Sequence, residues 1–207
     1  AQEADEDQAD NISFAEATVV PEPPPATSFN DVPAQHWAFA FIETLFASGI
    51  TAGCGNDNYC PDSPVTRAQM AVFLERGIRG SDYSPPPATG NVFLDVSSGA
   101  FAAAFIEQLF ADRVTNGCGG GNYCPQGTVT RDQMAVFLLR AKHGAAYSPP
   151  PATGEFVDVG LDHWAVRWIE QLAAEGITNG CGADSYCPGQ AVTRAQMAVF
   201  LVRTFGL

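Results

Sequence analysis

Lysine is nearly missing from this chain. Lys142 is the single one in 207 residues, and ten basic side chains stand against 23 acidic ones, for a formal net charge of −13. Binding a nucleic-acid backbone needs clustered Lys and Arg that release counterions, so the charge excludes nucleic acid as a partner by overall attraction. Long apolar runs are absent as well, and nothing approaches the ~20 residues of a membrane-spanning helix. Disorder throughout is excluded, because 46% of the residues are hydrophobic and only 16% charged. The length allows one or two domains.

The charge is concentrated at one end. Residues 1–28 hold seven acids (Glu3, Asp5, Glu6, Asp7, Asp10, Glu16, Glu22) and no Lys or Arg. The opening AQEADEDQAD reads as a solvated acidic tail. It has none of the basic and apolar regions of a signal peptide, which fits a chain whose signal has been removed. Within the tail, Asn11–Val20 is different: Ile12, Phe14, Val19 and Val20 give it apolar points that could lie on its own domain or dock on a neighbouring copy.

Beyond the tail, the chain repeats itself three times. Cys54, Cys118 and Cys181 fall at a near-constant period, and the same offsets relate Arg67, Arg131 and Arg194, and Met70, Met134 and Met197. A fixed period of this kind indicates stacked structural units. The expected organisation is an acidic arm (1–28), unit one (29–83), a Pro-rich linker (84–92), unit two (93–147), a second linker (148–155) and unit three (156–207). The linkers share the sequence SPPPATG, which favours an extended polyproline II spacer. Units of this size hold too little apolar material for a core each, so a shared core is expected.

Each unit reads as helix, loop, helix. Trp37, Phe41, Ile42, Leu45 and Phe46 lie on one helical face, with Phe101, Phe105, Ile106, Leu109 and Phe110 and then Trp164, Trp168, Ile169 and Leu172 as counterparts. The first helix is thus expected to start near Trp37, Phe101 and Trp164. Gly49 and Gly176 suit a left-handed helix end. Unit two has Arg113 there and must end differently or accept strain. Thr66-Arg-Ala-Gln69, Thr130-Arg-Asp-Gln133 and Thr193-Arg-Ala-Gln196 each fit a capping box opening the second helix. The Met/Phe stripe behind them is core.

All six cysteines lie between the two helices of their unit as Cys-x5-Cys pairs: Cys54/Cys60, Cys118/Cys124 and Cys181/Cys187. Six cysteines allow 15 pairings, and the repeat makes a bridge inside each unit the simplest. Closing a seven-residue loop is worth about 2–2.5 kcal/mol in the chain-entropy model. Bridges imply an oxidising compartment, hence export. Tyr-Cys-Pro around the second cysteine points to extended backbone. Zinc is the rival reading, but it takes four ligands, each loop offers two sulfurs, and unit two has Ala100 where His36 and His163 stand. Calcium is weaker, because Asp57 and Asp184 are matched by Gly121. No metal or cofactor is expected.

Phe29-Asn-Asp-Val32, His36-Trp-Ala38, Gly49-Ile-Thr51 and Thr66-Arg-Ala-Gln69 resemble one S-layer homology repeat. Unit three repeats the pattern with Phe156-Val-Asp-Val159, His163-Trp-Ala165, Gly176-Ile-Thr178 and Thr193-Arg-Ala-Gln196. Unit two is a worn copy, with Phe93-Leu-Asp-Val96 and Thr130-Arg-Asp-Gln133 but no Trp. The resemblance implies an all-α domain in which three helix-loop-helix repeats form one pseudo-threefold bundle, with grooves between repeats that hold anionic cell-envelope polysaccharide. Transferred by position, it nominates Arg67, Arg131 and Arg194 with Trp37, Trp164, Asp31, Asp95 and Asp158 as glycan-binding residues. Departures are the Gln that ends each motif where the family has Glu, the loop cysteines, and the missing Trp.

An arginine in the first helical turn stands near unpaired backbone N–H groups, a favourable place for an anion, and its fork matches a carboxylate. The competing reading pairs these arginines internally with Glu43, Glu107 and Glu170, which also repeat. The tryptophans can equally be core, and the aspartates can cap turns before the first helix. No histidine recurs in all three units, there is no Ser/His/Asp constellation, and Gly119-Gly-Gly121 sits in one cysteine loop only, so no enzyme is expected. The expected protein is a secreted cell-surface one, with envelope polysaccharide or copies of itself as partners. In the first case it anchors to the envelope. In the second it is a surface-layer or filament subunit whose arm docks on the next copy.

Overall fold

The computed structural model describes residues 27–207. The expectations for residues 1–26, including the arm residues Ile12, Phe14, Val19 and Val20, lie outside the described residues. Six helices make up the regular structure: α1 (Phe39–Ala47), α2 (Arg67–Arg79), α3 (Ala103–Ala111), α4 (Arg131–His143), α5 (Val166–Ala174) and α6 (Arg194–Phe205). No helix among the described residues is long and apolar enough to cross a membrane.

The long helices α2, α4 and α6 touch one another at the centre. Each short helix leans on the long helix of the preceding unit: α3 on α2, α5 on α4, and α1 on α6, which closes a ring. Ile42, Leu45, Ile106, Leu109, Ile169 and Leu172 supply the buried side of the short helices, and Met70, Leu74, Met134, Leu138, Met197 and Leu201 that of the long ones. These side chains belong to one continuous core. Just before the long helices the backbone closes a second ring. Val65 N–H donates to Val192 O (2.9 Å), Val192 N–H to Val129 O (2.9 Å), and Val129 N–H to Val65 O (3.0 Å). All three valines are completely buried, so these bonds are shielded from water and satisfy groups that burial would otherwise leave at a cost.

The short helices start two residues later than the spacing predicts, and the physical reason is a turn. His36 Nδ1 accepts from Ala38 N–H, and His163 Nδ1 from Ala165 N–H, each at 3.2 Å. A backbone turn before the helix is common to all three units, with Phe39, Ala103 and Val166 N–H donating to the carbonyls of His36, Ala100 and His163. Trp37, Phe101 and Trp164, inside that turn, are 63%, 66% and 61% exposed, not core. Unit two lacks the histidine, and Ala102 there takes a left-handed φ of 61°.

Two of the three capping boxes form, at Thr66/Gln69 and Thr193/Gln196. The third does not. Asp132 intervenes: its Oδ1 accepts from the Thr130 hydroxyl and from Gln133 N–H. Gly49 and Gly176 end their helices with φ of 74° and 69°, and Arg113 adopts 58° in the same place. Unit two thus accepts the strain, about 1–2 kcal/mol for a residue with a Cβ.

The disulfides join Cys54 to Cys60, Cys118 to Cys124 and Cys181 to Cys187. The second cysteine of each pair is not extended: φ is 58°, 60° and 59° at Cys60, Cys124 and Cys187. A carboxylate explains the bend. Asp31 accepts from Tyr59 N–H and Cys60 N–H, both at 2.7 Å. Asp95 does the same at Tyr123 and Cys124, and Asp158 at Tyr186 and Cys187. Two successive N–H groups can converge on one carboxylate only if the chain curls.

Candidate functional site

Arg67, Arg131 and Arg194 begin the three long helices and are 5%, 2% and 4% exposed. Each reaches into the next unit around the ring. Arg67 Nε donates to Tyr123 O (2.7 Å), Arg131 Nε to Tyr186 O (2.7 Å) and Arg194 Nε to Tyr59 O (2.6 Å). The same tyrosines donate their hydroxyls back to the carbonyls of Arg67, Arg131 and Arg194. Each guanidinium lies 4.7–4.8 Å from the tyrosine centroid and against a phenylalanine on its other side, Phe137, Phe200 or Phe73. Burial pulls all three guanidinium groups below their usual pKa, opposed by the neighbouring tyrosine and aspartate.

The internal pairing with glutamates does not occur. Glu107 accepts from Thr89 and Gly90 N–H, Glu170 from Thr153 and Gly154 N–H, and Glu43 from Ser28. These carboxylates hold the connectors. The helix starts are not free anion sites either. Arg67 N–H and Ala68 N–H donate to Gly127 O and Pro125 O of the next unit, and the other two helices repeat the arrangement. What remains free is the outer guanidinium nitrogen. Nη2 of Arg67 and of Arg194 is buried with no partner among the described residues, whereas Arg131 Nη2 donates to Gly180 O (3.1 Å).

Two grooves open beside these arginines. One, of about 320 Å³, is lined by Trp37, Arg131, Thr178, Asn179, Gln196 and Arg203. The other, of about 330 Å³, is lined by Arg67, Thr115, Asn116, Gln133, Arg140 and Trp164. Three units build each: the floor is one unit's loop and long helix, the arginine comes from the unit before, and the tryptophan from the unit after. Both volumes lie at the small end of ligand pockets. The position beside Arg194 that corresponds to the tryptophans carries Phe101. Asp31, Asp95 and Asp158 do not line either groove. Their carboxylates are committed to the cysteine loops, where the backbone N–H groups outweigh burial and hold Asp158 below the usual carboxylate range.

The second arginine series, Arg76, Arg140 and Arg203, was not singled out by sequence reasoning. Arg140 and Arg203 line the grooves, lie over Trp168 and Phe41, and donate to Val114 O and Ile177 O. Their fixed spacing of nine residues from the motif arginine was the available signal.

The S-layer homology domain profile matches residues 28–71, 92–135 and 155–198. An S-layer protein of Bacillus thuringiensis subsp. finitimus is 31% identical over 179 residues, 86% of this chain and 21% of the relative. An amylopullulanase of Thermoanaerobacterium thermosulfurigenes is 28% identical over 84% of this chain and 9% of its own length. A cellulosome-anchoring protein of Acetivibrio thermocellus is 23% identical over 70% of this chain and 32% of its own. The chain spans about a fifth of the S-layer relative and less of the amylopullulanase. Three tandem matches, one per unit of a closed ring, place the chain in the S-layer homology domain family, as the repeat triplet of an extracellular cell-surface protein.

Proposed function

We propose that the triplet associates non-catalytically with an anionic cell-envelope polysaccharide, whose acidic group enters a groove beside a motif arginine while a sugar face lies on the exposed tryptophan. One observation carries this reading. Arg67 lines the groove and its Nη2 is buried with no partner among the described residues, beside Trp164, which is 61% exposed in the same groove. A charged donor left unpaired is costly, and a carboxylate from outside would complete it. Of the nominated residues, Arg67 and Arg131 with Trp164 and Trp37 would touch ligand. Arg194 stands beside Phe101 and makes a poorer site, and Asp31, Asp95 and Asp158 act by shaping the loops. The anchoring named for the cellulosome relative supports the same role.

The test is sedimentation with purified cell-wall sacculi. Arg67→Ala should weaken binding about tenfold or more, the loss of a charge-assisted contact. Unchanged binding by a folded Arg67→Ala chain would refute the reading. A second reading, self-association, has its own support: Leu94 and Val157, at matching positions, are 84% and 79% exposed. Light scattering on the full chain tests self-association, and repeating it on residues 29–207 shows whether the arm is what docks, because only an arm-docked assembly is lost with the tail.

A further inference from the structure

Unit two carries a cavity of about 550 Å³, larger than either groove and lined by none of the motif arginines. Its walls are built from Phe110, Ala111, Arg113, Arg140, Ala145 and Ala146. Arg140 is shared with the Arg67 groove, and Arg113 is not. The sister units are built differently here. Unit one has Gly49 where unit two has Arg113, and the turn after α2 closes on it: a Cβ on Gly49 would come within 2.8 Å of Ser81 Cβ. Unit three has Gly176 at that place, and Ala173 where Phe110 stands. In unit two the turn after α4 carries the small Ala145 and Ala146 in place of Ser81 and Asp82. Arg113 holds a left-handed φ of 58° with its side chain exposed, and Phe110 is 42% exposed. Among the described residues no carboxylate pairs with Arg113 or Arg140. The adjacent Asp112 is taken by Arg79 and Gln108, and Glu175 by Lys142 and His143. The cavity thus joins an aromatic wall to an uncompensated positive charge, in a molecule of net charge −13.

We propose that this cavity seats the chain's own N-terminal arm, with Phe14 against Phe110, Ala145 and Ala146 and the Glu16 carboxylate on Arg113. Charge, pattern and reach select that occupant. Residues 1–28 carry seven acids and no Lys or Arg, and complementary charge selects the partner of a contact. In extended backbone, side chains two positions apart share a face, so Ile12, Phe14 and Glu16 present two apolar groups and an acid to one side. Glu16 stands eleven residues before Thr27, where the described body begins. That gives a reach of roughly 35 Å, against a radius of gyration of roughly 16 Å for a body of this size. A tether that spans the distance holds its own segment at millimolar effective concentration, which outcompetes a neighbour's arm in dilute solution. The inference is independent of the glycan reading. It bears on the self-association reading, because a seated arm is withheld from the next copy.

Digestion of the full chain with a glutamate-specific protease, followed by mass spectrometry, reads the arm directly. Cleavage after Glu16 reports seating, and cleavage after Glu6, outside the proposed contact, is the internal reference. Arg113→Gly gives unit two the residue its sisters carry at this left-handed position, so the fold should be kept. It should speed cleavage after Glu16 about fivefold, the ratio for a natural arm that is open roughly a fifth of the time. Ala146→Asp, which copies Asp82 of unit one, should release the arm by repulsion and speed the same cut. Salt at ~1 M should do likewise in the natural chain, by screening the exposed Arg113. Cleavage after Glu6 should stay the same throughout. Phe14→Ala, on the arm and outside the ring, should shift the backbone amide resonances of Ala145 and Ala146 in the ¹⁵N-labelled chain. Unchanged Glu16 cleavage in both Arg113→Gly and Ala146→Asp overturns the proposal, as do Ala145 and Ala146 amides that ignore Phe14→Ala. Protection of Glu16 that fades on dilution means that a neighbour's arm fills the cavity, and it overturns the proposal in favour of self-association.

Discussion

Glu75 shows what one residue can set. It is completely buried in α2, where the other long helices carry Leu139 and Val202. Oε2 meets Arg79 Nε at 3.0 Å, Oε1 has no partner among the described residues, and Arg79 also bonds Asp112. Burial outweighs the Arg79 contact and lifts the carboxyl from the ordinary 4.5 to about 7. Between those two values the native state holds a proton that the unfolded chain has released. Stability therefore falls as pH rises through this window and is indifferent to Glu75 outside it. Glu75→Leu should remove that slope. Its gain, measured by denaturant unfolding, should be roughly 3 kcal/mol larger at pH 7.5 than at pH 4, from about 1.4 kcal/mol per pH unit, and a gain independent of pH would contradict the assignment. Residue-level legibility was uneven in an instructive way. Arginine and tryptophan spacing exposed the groove partners, but whether Trp37 points inward depends on the backbone turn before α1, which helical periodicity does not encode. Asp31, Asp95 and Asp158 were recognisable by position and unreadable in role, because their partners lie 28 and 29 residues away.

Helix starts test the next scale. Thr66 and Gln69 exchange both bonds of a capping box, so Thr66→Ala should cost about 1 kcal/mol. Thr130→Ala should cost clearly less, because Asp132 already accepts from Gln133 N–H. Thermal unfolding of the two variants side by side checks the order, and equal losses would mean that Asp132 does not substitute for the box. The four-residue motif was legible as a helix start in all three units. Asp132 could not be foreseen as the exception, since its second partner, Trp164, comes from another unit. The disulfide pairing was legible because the repeat allowed each bridge to be local. The curl at Cys60 was not, because Asp31 imposes it from outside the loop.

At the scale of the molecule, the repeat revealed three units and a shared core. It could not say which helix touches which. The order around the ring is set by contacts such as Arg194 to Tyr59, 135 residues apart. Cutting the chain after Gln190 removes α6, and with it the partner of α1 and one corner of the valine ring. The remainder should lose cooperative unfolding altogether, rather than retaining two stable units as an open stack of repeats would. A sharp transition with two-thirds of the native helicity would refute this.

The pairing of α1 with α6 also has a direction in time. A chain made and exported amino end first delivers α1 early and its partner last. Until Arg194–Phe205 has emerged, the apolar side of α1 has no other helix of the described residues to lie against. α3 and α5, by contrast, each come after the helix they rest on. The ring can therefore close only after the last helix has been delivered.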